Sequence, residues 1–211
     1  MSSDFAPASS VLDRVLVLPW SEKLVEAHVD HIATVMERLV ALYAKLKLRI
    51  NPAKSAVAPA AQRYFLGYSF WVAAGRQVKR RVAPKSLEDF KQRIRQHTCR
   101  NGGRSLPKVV EDLRMYLLGW KAYFRLADTP GVFRDLDQWI ARRLRMVQLK
   151  QWKQGSTVYR ELRRRGVPER VTRAAAASSG SWWRIAGHGA LNTAMPTSYL
   201  EGLGLPRLAP R

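Results

Sequence analysis

The sequence is poor in several things, and each shortage closes off a class of protein. It has one cysteine, Cys99, so no internal disulfide can form. Its apolar stretches, such as Val15 to Leu18, are far too short to span a bilayer. Met1 to Ser10 carries no basic residue ahead of an apolar run, so nothing there reads as a signal peptide. A cytoplasmic protein with no membrane partner is expected. There is no Walker-type phosphate loop. Ser179-Gly180-Ser181 lacks the flanking glycines and strand of a nucleophile elbow. His28 and His31 are spaced to share a helix face, but no third ligand lies near them, and His97-Thr98-Cys99 offers one ligand pair at most. No metal site is expected of the chain alone.

The sharpest shortage is of negative charge. Across 211 residues, 37 Lys and Arg face 16 Asp and Glu, a net +21. Such a surplus opposes compaction, and a polyanion would relieve it. The surplus is uneven. Residues 1–70 hold eight basic and six acidic side chains, whereas residues 71–211 hold 29 and 10. The second stretch therefore carries the polyanion-binding signal, with Trp and Tyr interleaved among the basic residues as on many nucleic-acid surfaces. A basic protein without such a partner is the alternative. Hydrophobic residues, at 46 % of the chain, suffice for a packed core.

Along the chain, Val15 to Leu18 reads as a short buried strand ended by Pro19, and Ser21 as the cap of a following helix. Leu24, Ala27, Ile32, Val35, Leu39, Leu42 and Leu46 mark one face of that long helix. Leu48 to Ile50 reads as a strand. Tyr64 to Trp71 reads as another, with Gly67 in its middle, and Gly75 permits a hairpin into Gln77 to Val82. From Pro84 the pattern is helical. Ser86-Leu87-Glu88-Asp89 resembles a capping box, with Leu87, Phe90 and Ile94 as the stripe and Asn101-Gly102-Gly103 as the stop. Ser105 with Pro107 starts a second helix, striped by Leu113, Tyr116, Leu117, Trp120 and Phe124. Core packing is the expectation for Trp120 and Tyr123.

Thr129-Pro130 starts a third helix. On it Phe133, Leu136, Ile140, Leu144 and Val147 share one side, while Arg134, Gln138, Arg142 and Arg145 share the other. Three arginines on a solvated face are placed to follow a phosphate backbone, and a solvated face with no partner is the alternative. Arg160 to Arg165 reads as a basic helical turn ended by Gly166 and Pro168. Helix is then expected at Ala174 to Ala177, a bend at Ser178 to Gly180, and a last helix near Thr193 to Gly202.

Several segments together resemble one family. Leu48-Arg49-Ile50-Asn51-Pro52-Ala53-Lys54-Ser55 is similar to a conserved reverse-transcriptase segment, and Phe65-Leu66-Gly67-Tyr68 to the primer-grip hairpin. Leu117 to Arg125, reading LLGWKAYFR, resembles the signature of the group II intron maturase-specific domain. Leu136 to Ile140, Arg142 to Arg145 and Lys150 to Lys153 continue it. Gly166-Val167-Pro168, Tyr199-Leu200 and Gly204-Leu205-Pro206 resemble the end of the same proteins. The chain thus resembles the C-terminal part of a bacterial group II intron reverse transcriptase, or maturase.

That resemblance implies a mainly α fold with a small β portion (α+β). A palm remnant with short antiparallel strands and one long helix would occupy residues 1–72, a thumb or maturase domain 73–155, and a basic helical extension 156–211. It also implies a shortened enzyme. The family uses carboxylates of a Tyr-Ala-Asp-Asp turn to hold two metal ions. No such turn occurs here. Asp13 would stand at one acidic position and Arg14 at the other, where a cation repels metal. The expected role is binding of structured RNA, group II intron RNA above all, with DNA or an RNA–DNA duplex as further ligands. The residues expected to bind are Lys54, Lys79, Arg80, Arg81, Arg93, Arg134, Arg142, Arg143, Arg145, Lys150, Trp152, Lys153, Arg163 and Arg164. No cofactor is expected, and magnesium only if a separate reverse-transcriptase chain supplied fingers and palm. A subunit of such a split enzyme, or a degenerate remnant, are the alternatives.

Overall fold

The structure is a computed structural model, which describes residues 26–48, 64–74, 77–99, 102–178 and 180–210. The expected strand at 15–18, the cap at Ser21, most of the strand at 48–50, and Asp13, Arg14 and Lys54 lie outside the described residues. The fold is mainly helical with one small antiparallel sheet, as the sequence implies. The chain divides into two compact units, residues 1–83 and 84–211.

The first unit contains helix α1 (Glu26–Lys45) and strands β1 (Tyr64–Phe65), β2 (Tyr68–Val72) and β3 (Val78–Val82), ordered β1-β2-β3. Of the expected α1 stripe, Val35 and Leu39 are half-buried, while Leu42 and Leu46 are exposed. The stretch Tyr64 to Trp71 is two strands rather than one. Leu66 and Gly67 both take positive φ, 50° and 77°, which turns the chain back on itself. The resulting hairpin pairs Phe65 with Tyr68, and β2 then pairs with β3 from Tyr68↔Val82 to Val72↔Val78.

The second unit begins with α2 (Pro84–His97), α3 (Leu106–Tyr123) and α4 (Pro130–Trp152). Pro84 itself opens α2, so Ser86 lies inside the helix and is not its cap. The helix stops at His97, before the glycines: the Thr98 hydroxyl donates to the Ile94 carbonyl at 2.7 Å and closes the last turn. Ser105 and Thr129 precede α3 and α4 as expected, each with proline in the first turn, although neither side chain makes a capping bond.

The core joins these three helices. Trp120 lies at its centre, with ring centroids of Phe90 at 4.3 Å, Phe124 at 4.7 Å and Phe133 at 5.7 Å. Ile94, Leu113, Leu117, Ile140 and Leu144 are fully buried around them. Tyr123 departs from the expected core packing. It is 53 % exposed, because it sits in the last turn of α3 with its ring edge-on to Phe124.

The chain continues through α5 (Gly155–Arg164) and α6 (Glu169–Ala177). Between them Gly166, with φ 77°, lets Val167 donate back to Leu162, a left-handed helix stop that disfavours any side chain. The expected helix at Thr193 to Gly202 is broken at Met195-Pro196. Three short helices close the unit: α7 (Trp182–Ala186), α8 (Gly189–Ala194) and α9 (Thr197–Gly202). The tail then folds back on α4. Asp137 accepts backbone N–H bonds from Leu208 and Ala209, both at 2.9 Å. Burial pushes the Asp137 carboxyl above its usual range, and those two bonds, with Arg207 and Lys121 nearby, pull it partly back.

Among the described residues no helix is long and apolar enough to cross a membrane. The core predicts a sharp contrast between two truncations. Leu144→Ala, at a site with no exposure, should cost about 2–5 kcal/mol in chemical denaturation. Met115→Ala, at a site 76 % exposed, should change stability by less than about 0.5 kcal/mol.

Candidate nucleic-acid interface

The arginine side of α4 is the natural place to look for a phosphate-binding face. The structure covers much of it. Arg142 donates through Nε and Nη2 to the Trp183 carbonyl, at 3.1 and 2.8 Å, and its guanidinium stacks 4.1 Å from the Trp183 ring. Arg145 is 7 % exposed and donates Nε to the Met195 carbonyl at 2.9 Å. Burial lowers its pKa from the ordinary arginine value. Only Arg134 of the three expected arginines is exposed.

The expectation of a solvated row is therefore corrected. Its cause is the C-terminal segment, whose helices α7 and α8 have five and six residues. Helices this short leave most of their carbonyls without an internal partner. Met195 follows directly on α8, so its carbonyl is one such orphan, and a long cationic side chain from α4 satisfies it. Gly187 makes room for this arrangement. A Cβ there would lie 2.8 Å from the Arg142 guanidinium.

Arg143 does the same for another helix end. It donates Nε to the Thr98 hydroxyl at 2.9 Å and reaches the carbonyls of Arg95 and Thr98 with Nη2, both at 3.4 Å. Those groups close α2, where a positive charge also suits the helix dipole. Arg143 and Arg95 both lie near the half-buried Trp139 ring, at 5.9 and 5.7 Å. Trp152, expected among the RNA-binding residues, is also corrected. It is 8 % exposed and lies under Arg165, 5.1 Å from its ring, and the same guanidinium sits 5.3 Å from Tyr199.

Among the described residues the other expected ones face solvent, save the half-buried Lys79, and Arg95 joins them. Arg93 and Arg95 are exposed on α2, Lys150 and Lys153 at the end of α4, and Arg163 and Arg164 in the last turn of α5. Arg163 also donates to the Val167 carbonyl at 3.0 Å, which fixes its stem but leaves it exposed. In the first unit Arg80 and Arg81 are exposed on β3, with Arg81 donating to Ser69 at 3.0 Å. Lys79 lies 5.8 Å over the Trp71 ring. Arg95 was not singled out from the sequence, nor were Trp183, Arg165 or Asp137. The adjacent tryptophans 182 and 183 in a basic tail were the available signal for a packed C-terminal element. Among the described residues no group of three His, Cys, Asp or Glu is placed to hold a metal ion.

This geometry is a helical unit pinned by inward arginines and studded with outward ones. Residues 87–166 match the model of the group II intron, maturase-specific domain. The match runs from α2 to the glycine that ends α5, and it supports a maturase role in intron splicing. No curated protein matches the chain. Over this stretch the chain is thus similar to group II intron maturases, and the short helices that cover the arginines of α4 lie beyond it.

The clamp on Arg142 yields a prediction. Gly187→Ala should displace the guanidinium and cost about 1.5–3 kcal/mol, the worth of hydrogen bonds to a charged group. In an Arg142→Ala background the same change should cost close to nothing. Thermal denaturation of the four chains gives the coupling, and additive effects would refute the clamp.

Proposed function

We propose that this chain grips structured RNA, group II intron RNA above all, and assists splicing without polymerase activity of its own. The match to the maturase-specific domain at residues 87–166 carries the reading. The charge supports it, since residues 71–211 hold 29 basic against 10 acidic side chains. Arg93, Arg95, Arg134, Lys150, Lys153, Arg163 and Arg164 are the exposed cations that would meet phosphates, and a duplex DNA or RNA–DNA hybrid would meet the same groups. In the first unit Arg80 and Arg81 of β3 are exposed too, beside the half-buried Lys79. Arg142, Arg143 and Arg145 also serve the fold. They hold the helices that present the others. Magnesium enters only through a complementing reverse-transcriptase chain.

Affinity of this kind arises from counterions released as phosphates are neutralised, so it must fall steeply with salt. With about five phosphate contacts the log–log slope is about −4 to −5, a loss of several hundred-fold between roughly 50 and 200 mM salt. Filter binding of the full chain to folded group II intron RNA should show that slope. Replacing Arg163 and Arg164 together by alanine should flatten it by about 1 to 2 and weaken binding to all RNAs alike. Affinity indifferent to salt would refute the reading. Primer extension by the chain alone with magnesium would refute its second half.

A further inference from the structure

A cleft of about 670 Å³ opens between the arginine side of α4 and the helices α7, α8 and α9. Its size lies within the range of small-ligand sites. Arg142 and Arg145 line it from α4, and Trp183 lines it from α7. Two amides, Gln138 on α4 and Asn192 on α8, also face it. Asp135 is its acidic member.

Arg145 is the unusual group here. It is almost wholly buried, it makes one hydrogen bond through Nε to a neutral carbonyl, and no carboxylate pairs with it among the described residues. A buried cation is costly unless an anion or a full set of acceptors compensates it. Arg142 beside it likewise spends its bonds on a carbonyl and makes no ion pair among the described residues. Two guanidinium groups therefore line one cleft with one carboxylate, a net single positive charge. The rest of the lining suits a flat polar ring. Trp183 is 41 % exposed beyond the face that Arg142 covers, and the two exposed amides each offer donors and acceptors in one plane.

We propose that this cleft takes one unpaired nucleotide of an RNA chain, its phosphodiester at Arg142 and Arg145, its base against Trp183 and its base edge read by Gln138 and Asn192. A phosphodiester carries one negative charge and matches the cleft. A free mononucleotide carries nearly two, and Asp135 disfavours the second. The site adds a preference that the outward cations lack, because unstacked bases are what proteins read in RNA. This inference rests on the RNA-binding reading above.

The experiment compares two RNA hairpins with the same stem, one fully paired and one with a single-nucleotide bulge, binding to the full chain at one salt concentration. The bulged hairpin should bind about tenfold tighter, within the range expected of one base stacked on an aromatic ring. Asn192→Ala and Gln138→Ala, both at exposed positions, should each remove much of that advantage and leave paired-hairpin binding unchanged. Equal affinity for the two hairpins would overturn the cleft assignment, and so would variants without effect. With salt-dependent binding to the paired hairpin intact, the general RNA-binding reading would then stand. Absence of binding to either hairpin would overturn both. Adenosine monophosphate binding more tightly than the bulged hairpin would assign the cleft to free nucleotides and overturn it as well.

Discussion

Three neighbouring arginines of α4, Arg142, Arg143 and Arg145, donate to backbone carbonyls at or near the ends of other helices. The second unit depends on these bonds. A short helix presents carbonyls that its own backbone does not satisfy, and leaving them buried and unpaired costs more than most single contacts gain. Guanidinium groups suit the task. They reach far, they remain charged, and their fork satisfies one acceptor with two donors or two acceptors with one group. With Asp137 holding the tail on the same helix, α4 organises α2 at one side and the C-terminal helices at another.

Much of this unit was legible beforehand. Proline after a capping residue marked the starts of α3 and α4, and the stripes of Leu113, Leu117 and Trp120 and of Phe133, Leu136, Ile140 and Leu144 are the observed core. Local rules failed where two signals competed. Gly67 was placed in the middle of one strand, but with Leu66 also left-handed it is a reversal. Ser86 looked like a cap, but Pro84 is itself a favourable first residue and starts the helix earlier.

The site was harder to read for a different reason. Periodicity shows which side of a helix is polar, and a polar side is usually solvent-facing. It cannot show that a later segment will cover that side with backbone carbonyls in place of apolar groups. Helices of five or six residues carry too few turns to display a stripe, so α7 and α8 left little trace in the pattern. Trp152 was misjudged in a related way. Its covering cation, Arg165, comes from a run that looked wholly solvent-directed. A basic stretch in this chain is a mixture, in which some cations serve the fold and others remain on the surface.

The pins of α4 also impose an order of events in synthesis. Trp183 follows Arg142 by 41 residues, Met195 follows Arg145 by 50, and Leu208 follows Asp137 by 71. At translation rates of about 5–20 residues per second, these partners are made several seconds after α4. Through that interval the nascent helix carries its full row of arginines uncovered. Helices α7 and α8 must then displace whatever water or anion has collected there, so a segment made well after α4 decides when its arginine face closes.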